Sequence, residues 1–211
     1  LHDIGHGPFS HTLEQSFFTN ISHEQISLSF MERLNIEFSG RLSLGIKVFT
    51  GNHSKKYLHQ LVSSQLDMDR LDYLRRDSYY TGVSEGVIGS ERIIKMLNIN
   101  NNELVIEAKG IYSIEKFLIA RRLMYWQVYL HKTVIASEQM LIKVIKRAKF
   151  LYNQGNTVFL TPALKFFFIN DVNSYSLINQ AYNGIFPLDE FSKLDDYDVI
   201  TCIKEWQYHD D

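Results

Sequence analysis

A mainly α-helical fold is what this sequence predicts, from three observations: only three prolines in 211 residues, long runs with apolar residues at helical spacing, and no low-complexity linker or internal repeat. In the run Glu115–Ala148, Ile119, Leu123, Trp126 and Leu130 recur every three to four positions, with Arg121, Arg122, His131 and Lys132 among them. This predicts one long helix or two nearly continuous ones. Between Asn98 and Gly110 the pattern changes to asparagine punctuation followed by the alternating segment Glu103–Ala108, which predicts a small β-hairpin around 98–110. Gly155 in Asn153–Asn156 supplies a helix stop, and Thr161-Pro162 the start of the next helix. A soft boundary near 156 therefore divides residues 1–156 from a C-terminal helical region, 157–211. After Asp171 the chain is punctuated by Asn, Ser and Asp up to Asp195. A last helix then begins with acids in its first turn, where the helix dipole favours them.

Composition narrows the function classes. A net charge of -2 gives no global basic field, so wholesale binding to nucleic acid or an anionic membrane is not expected. The single cysteine, Cys202, excludes an internal disulfide framework and a cysteine-based zinc site, and fits a reducing cytoplasm. The most apolar stretch, Phe159–Ile169, is interrupted by Pro162 and Lys165 and is far shorter than the roughly 20 residues of a membrane span, so a soluble protein without membrane contact is expected.

Chemistry-bearing residues concentrate in two places. Four of the eight histidines, His2, His6, His11 and His23, fall at the start of the chain, within and just after Leu1-His2-Asp3-Ile4-Gly5-His6-Gly7-Pro8-Phe9-Ser10-His11. The adjacent imidazole and carboxylate of His2 and Asp3 are a mixed nitrogen and oxygen pair suited to a borderline divalent cation. Gly5 and Gly7-Pro8 predict a tight turn that returns His6 and His11 to the same pocket. The second concentration is Asp67–Asp77. On a helix, Asp69, Tyr73 and Asp77 lie within about 80 degrees of one another. Such a face also fits a solvated helix laced by charge pairs.

Taken in order, the His2–His11 motif, Ser22-His23-Glu24-Gln25 and Asp67-Met68-Asp69-Arg70-Leu71-Asp72-Tyr73-Leu74-Arg75-Arg76-Asp77 resemble the HD-domain phosphohydrolases. Within them the likeness is to bacterial relatives of the SAM-and-HD-domain deoxynucleoside triphosphate (dNTP) triphosphohydrolases, and it runs to about Thr133, with Tyr129-Leu130-His131-Lys132 as its last motif. The resemblance implies an HD-domain helical bundle over 1–156 and a divalent metal ion (Mn, Mg, Fe, Zn, Ni or Co) held by His2, Asp3 and Asp69. It places a further ligand, a histidine, upstream of the motif, so an N-terminally truncated domain is expected. His6, His11 and His23 match catalytic histidines, and Glu14 stands where the family often has an aspartate. On the substrate side it implies Arg70, Arg121 and Lys132 near the phosphates, and Tyr73 packing on the sugar. Asp77 would bind the 3'-hydroxyl, and Tyr129 would lie beneath the deoxyribose. The implied reaction is hydrolysis of a dNTP to deoxynucleoside and triphosphate. A homo-oligomer and an allosteric nucleotide are implied as well. The competing readings are an HD hydrolase of a nucleoside monophosphate or signalling nucleotide, a catalytically silent nucleotide-binding module, and a structural helical domain with an incidental metal.

Overall fold

A computed structural model describes residues 2–170, 172–173 and 187–208. The fold is mainly α-helical, as the sequence predicts. Its compact units are Leu1–Gly40 with Ser137–Asp211, and Arg41–Ala136. Residues after 156 thus share a unit with the first forty, because their apolar side chains supply much of its core. No described helix is long and apolar enough to cross a membrane.

The first unit contains α1 (His11–Phe17), α2 (His23–Glu37), most of α8 (Lys132–Asn153), α9 (Pro162–Ile169), the short α10 (Leu188–Phe191) and α11 (Asp196–Trp206). Ser22 caps α2 through a capping box with Gln25. Thr161 caps α9, with proline in its first turn. Gly155, at φ 85°, ends α8 in the left-handed conformation expected for a helix stop. Leu13, Phe17, Phe18, Ile26, Ile145, Leu164, Phe167, Phe168, Val199 and Cys202 form the core. Each wholly buried phenylalanine contributes about 1.5–3 kcal/mol. A two-residue parallel pairing, β1 (Phe18–Thr19) with β4 (Val172–Asn173), was not predicted, being too short to leave a periodic signal. The punctuated stretch 174–186 lies outside the described residues.

The second unit contains α3 (Ser43–Phe49), α4 (Lys56–Val62), α5 (Met68–Thr81), α6 (Ser90–Met96) and α7 (Ile111–Met124). The predicted hairpin is present as β2 (Leu97–Asn100) paired antiparallel with β3 (Glu103–Ile106). Its turn residues Asn101 and Asn102 have φ of 50° and 66°, which asparagine tolerates and a two-residue hairpin loop requires. Gln60 of α4 accepts the Leu104 amide at 2.7 Å and donates to Glu103, fixing the hairpin edge. A π-helical turn, Tyr125–Tyr129, follows α7, so the run from Glu115 is two nearly continuous helices. Leu71, Leu74, Phe117, Ala120 and Met124 form this unit's core.

The histidine motif is held against α2 by close backbone packing. A Cβ on Gly5 would overlap the His23 carbonyl oxygen and the Ser27 amide nitrogen, and one on Gly7 would lie 3.2 Å from the Phe18 ring. Neither glycine is left-handed; Phe9 and Ser10 are, at φ 54° and 48°. The expected glycine turn is therefore made by these two residues, while the glycines permit close approach. Left-handed geometry costs a non-glycine residue about 1–2 kcal/mol. The Phe9 amide donates to Asp196 Oδ1 at 2.8 Å, which ties this strained turn to the first residue of α11. Ser27, fully buried, accepts from the Gly5 amide at 2.9 Å and donates to the His2 carbonyl at 2.7 Å.

Ser27→Ala is expected to lower stability by about 1–3 kcal/mol, because the buried Gly5 amide loses its acceptor. Gly5→Ala should cost more, since backbone rather than a flexible side chain must move. Chemical denaturation of both variants, with unchanged slopes, checks the order; equal midpoints for wild type and Ser27→Ala would contradict it.

Candidate functional site

In the first unit, His2 and Asp3 present converging donors, with His2 Nε2 3.0 Å from Asp3 Oδ2. Two ligand atoms at about 2.1 Å from one cation and at right angles to each other are about 3.0 Å apart, so this pair already has the spacing of adjacent ligands. The donor set, one imidazole and one carboxylate, fits a borderline divalent metal.

Three further imidazoles gather beside them. His6 comes from the loop, His11 opens α1 and His23 opens α2. The His6 and His23 rings stack at 4.1 Å, and His11 meets His6 and His23 edge-on at 4.9 Å and 4.8 Å. Glu14 lies one turn into α1 and serves two of them. Its Oε2 is 3.1 Å from His11 Nδ1, while Oε1 accepts the His23 amide at 2.7 Å and lies 3.5 Å from His23 Nδ1. Burial works to raise the Glu14 pKa, but the His11 contact, the His23 amide and the two nearby imidazoles outweigh it, so the carboxyl is held below its ordinary value. Glu14 is thus an ionised acceptor at neutral pH, able to orient an imidazole that gives or takes a proton. Glu24 lies 3.2 Å from His23 Nε2.

In the second unit, Asp67 caps α5 by accepting the Arg70 amide at 2.8 Å. The helix carries Asp69, Tyr73 and Asp77, all half-buried, and turns Leu71 and Leu74 into the core. Tyr129, on the π-helical turn, donates to Asp77 Oδ2 at 2.7 Å. Burial first, then donation to the Asp77 carboxylate, push the Tyr129 pKa far up, so the hydroxyl stays a donor at any working pH. Tyr73 and Tyr125 pack edge-on against Tyr129 at 6.0 Å and 5.2 Å. The Tyr73 pKa is likewise raised, by burial and then by Tyr125, against the opposing influence of Arg121 and Arg70. Arg121 donates to Gln65 at 2.9 Å and sits 5.8 Å from the Tyr125 ring centre.

Arg70 is more committed than a solvent-facing cation. Its Nη1 donates to Asp67 and, at 2.6 Å, to the Ser64 carbonyl. Its buried Nε has no hydrogen-bond partner among the described residues. Lys132 is exposed at the start of α8. Sequence reading missed Gln65, Tyr125, Ser27 and Asp196. Tyr125 had a signal, being four residues after Arg121 and four before Tyr129; Asp196, distant in sequence from the turn it holds, had none.

The family model described as "HD associated region" matches residues 88–156. A solved phosphohydrolase from Bacteroides thetaiotaomicron is 59% identical with a TM-score of 0.93, covering 100% of this chain and 51% of that one. The uncharacterized protein YwfO of Bacillus subtilis is 33% identical over 219 residues, 100% of this chain and 47% of the relative. A deoxynucleoside triphosphate triphosphohydrolase SAMHD1 homolog of Dictyostelium discoideum is 27% identical over 164 residues, 70% of this chain and 32% of its own length. The chain spans about half or less of the length of these relatives. Likeness along its whole length to a phosphohydrolase, together with the HD-associated region inside it, makes this chain a member of the HD-domain phosphohydrolases.

Proposed function

We propose that this metal-dependent phosphohydrolase acts on deoxynucleoside triphosphates, releasing deoxynucleoside and triphosphate. The observation that carries the substrate reading is the Tyr129 to Asp77 hydrogen bond of 2.7 Å, flanked by Tyr73 and Tyr125. An aromatic wall with one fixed carboxylate suits a sugar: the rings pack on its apolar face and the carboxylate accepts from a hydroxyl. Because Tyr129 occupies Oδ2, Asp77 Oδ1, which has no hydrogen bond among the described residues, remains for the substrate 3'-hydroxyl. The Dictyostelium relative, named as a dNTP triphosphohydrolase, supports the same class.

His2, Asp3 and Asp69 are the proposed metal ligands, Asp69 on the strength of the sequence resemblance. A bound divalent cation supplies charge stabilisation for the phosphoryl oxygens and lowers the pKa of water. His11 or His23, oriented by Glu14, gives the proton needed by the leaving oxygen, and His6 lies within the same imidazole group. Arg121, Lys132 and the remaining donors of Arg70 neutralise charge on the phosphates. The homo-oligomer and the allosteric nucleotide are carried into this reading by resemblance alone.

Incubation with each dNTP and Mn or Mg, followed by product analysis, tests the reaction. Triphosphate and deoxynucleoside are the expected products, lost on adding a chelator and in Asp69→Ala. Release of a nucleoside monophosphate instead, or turnover of signalling nucleotides alone, would replace the dNTP reading with another HD substrate. Tyr129→Ala is expected to relax discrimination between deoxy- and ribonucleotides by about 10-fold or more in kcat/KM, the scale of losing one steric contact. Asp77→Asn should lower kcat/KM for dNTPs by a similar factor and leave discrimination at the 2'-position intact.

A further inference from the structure

The three imidazoles near the motif have a feature that proton transfer does not require. Each has Nδ1 beside an oxygen: His6 hydrogen-bonded to the Asp3 carbonyl at 3.1 Å, His11 to Glu14 Oε2 at 3.1 Å, and His23 3.5 Å from Glu14 Oε1 without a hydrogen bond among the described residues. Where Nδ1–H donates to these oxygens, as the hydrogen-bond distances of His6 and His11 allow, the lone pair of the ring is on Nε2. An oxygen acceptor behind an imidazole is the usual support of a metal-ligating histidine, fixing its tautomer and raising its basicity. One ligand nitrogen from each of the three rings lies within 4.8 Å of the others. Three nitrogens at about 2.1 Å from one tetrahedral ion stand about 3.4 Å apart, so binding calls for a modest closure of the rings. His11 can make it, since its side chain is 68% exposed and opens α1. The Glu24 carboxylate, 3.2 Å from His23 Nε2 and 56% exposed, is placed to add a fourth donor.

We propose that His6, His11 and His23, with Glu24 as a carboxylate arm, form a second transition-metal site whose ligands are distinct from the His2 and Asp3 pair. Three imidazoles select Zn, Co, Ni or Cu over Mg, which prefers oxygen and retains its water. Binding stands on the geometry alone. Its consequence rests on the function proposed above: an ion held by one nitrogen of each ring occupies lone pairs that would carry the proton, so occupancy stops hydrolysis supported by Mg.

Cobalt titration of the chain tests the site, because nitrogen ligation of Co(II) gives visible d–d bands whether or not the protein turns over substrate. In His2→Ala, which disables the first pair, Co(II) is expected to bind and show these bands, and excess Mg is expected not to displace it. Adding His11→Gln, at an exposed position where folding is checked by circular dichroism, should abolish the bands. Glu14→Gln should retain them with affinity reduced about 10- to 100-fold, the scale of losing a supporting acceptor. Zinc analysis of the dialysed wild type gives an independent count, with a second equivalent expected that is lost in His11→Gln. Bands or a second zinc equivalent unchanged by His11→Gln would overturn the proposal, as would a wild type that binds no second equivalent. Mg-supported turnover by the wild type that continues at its full rate with the second zinc equivalent bound would overturn the inhibitory role alone.

Discussion

The approach of Gly5 to the first turns of α2 is the contact that the histidine cluster depends on. With no Cβ at position 5, the loop backbone sits directly against the His23 carbonyl and the Ser27 amide, so His6, the next residue, can lay its ring on that of His23 at 4.1 Å. Ser27 converts this proximity into register, because one hydroxyl accepts from Gly5 and donates to His2. The same few atoms therefore set the position of the His2 and Asp3 pair and of the imidazole group. Phe9 and Ser10 then reverse the chain in a conformation their side chains disfavour, and the Asp196 carboxylate helps to hold it there.

Electrostatics reinforce these placements without any large net charge. Glu14 remains ionised because two imidazoles and an amide favour its anion more than burial opposes it. Tyr129 remains protonated because burial and a neighbouring carboxylate both oppose its anion. The first arrangement keeps an acceptor behind two imidazoles; the second keeps a donor on one oxygen of Asp77. Neither depends on a strongly charged surface, consistent with a chain whose net charge is only -2. The local partners do the selecting.

Much of this was legible in the sequence, and the exceptions share a cause. The helix stop at Gly155, the cap at Thr161, the hairpin at Asn101-Asn102 and the acidic start of α11 are local signals, carried by neighbouring residues, and the structure contains all of them. The clustering of His6, His11 and His23 was also visible, although its reason was not. The glycines predict a turn from the residue type alone; that they serve close packing depends on α2, which local reading cannot supply. Asp196 was invisible for the same reason, since its partner Phe9 is far away in the chain. Ser27 stands four residues after His23 on α2 and thus on the same face, a signal that could have been used.

The π-helical turn at Tyr125–Tyr129 makes position along the chain as important as residue identity. Its widened turn, closed by the Leu130 amide on the Tyr125 carbonyl at 2.7 Å, accommodates one residue more than an α-helical turn closed from i to i+4. Removing a single residue there would restore regular winding and change which side chains of the turn face Asp77. Tyr129 would leave Asp77 although its neighbours Tyr73 and Tyr125 were still present. Insertions and deletions in this short segment are thus a route to breaking the Tyr129 to Asp77 hydrogen bond that a comparison of residue identities alone would not reveal.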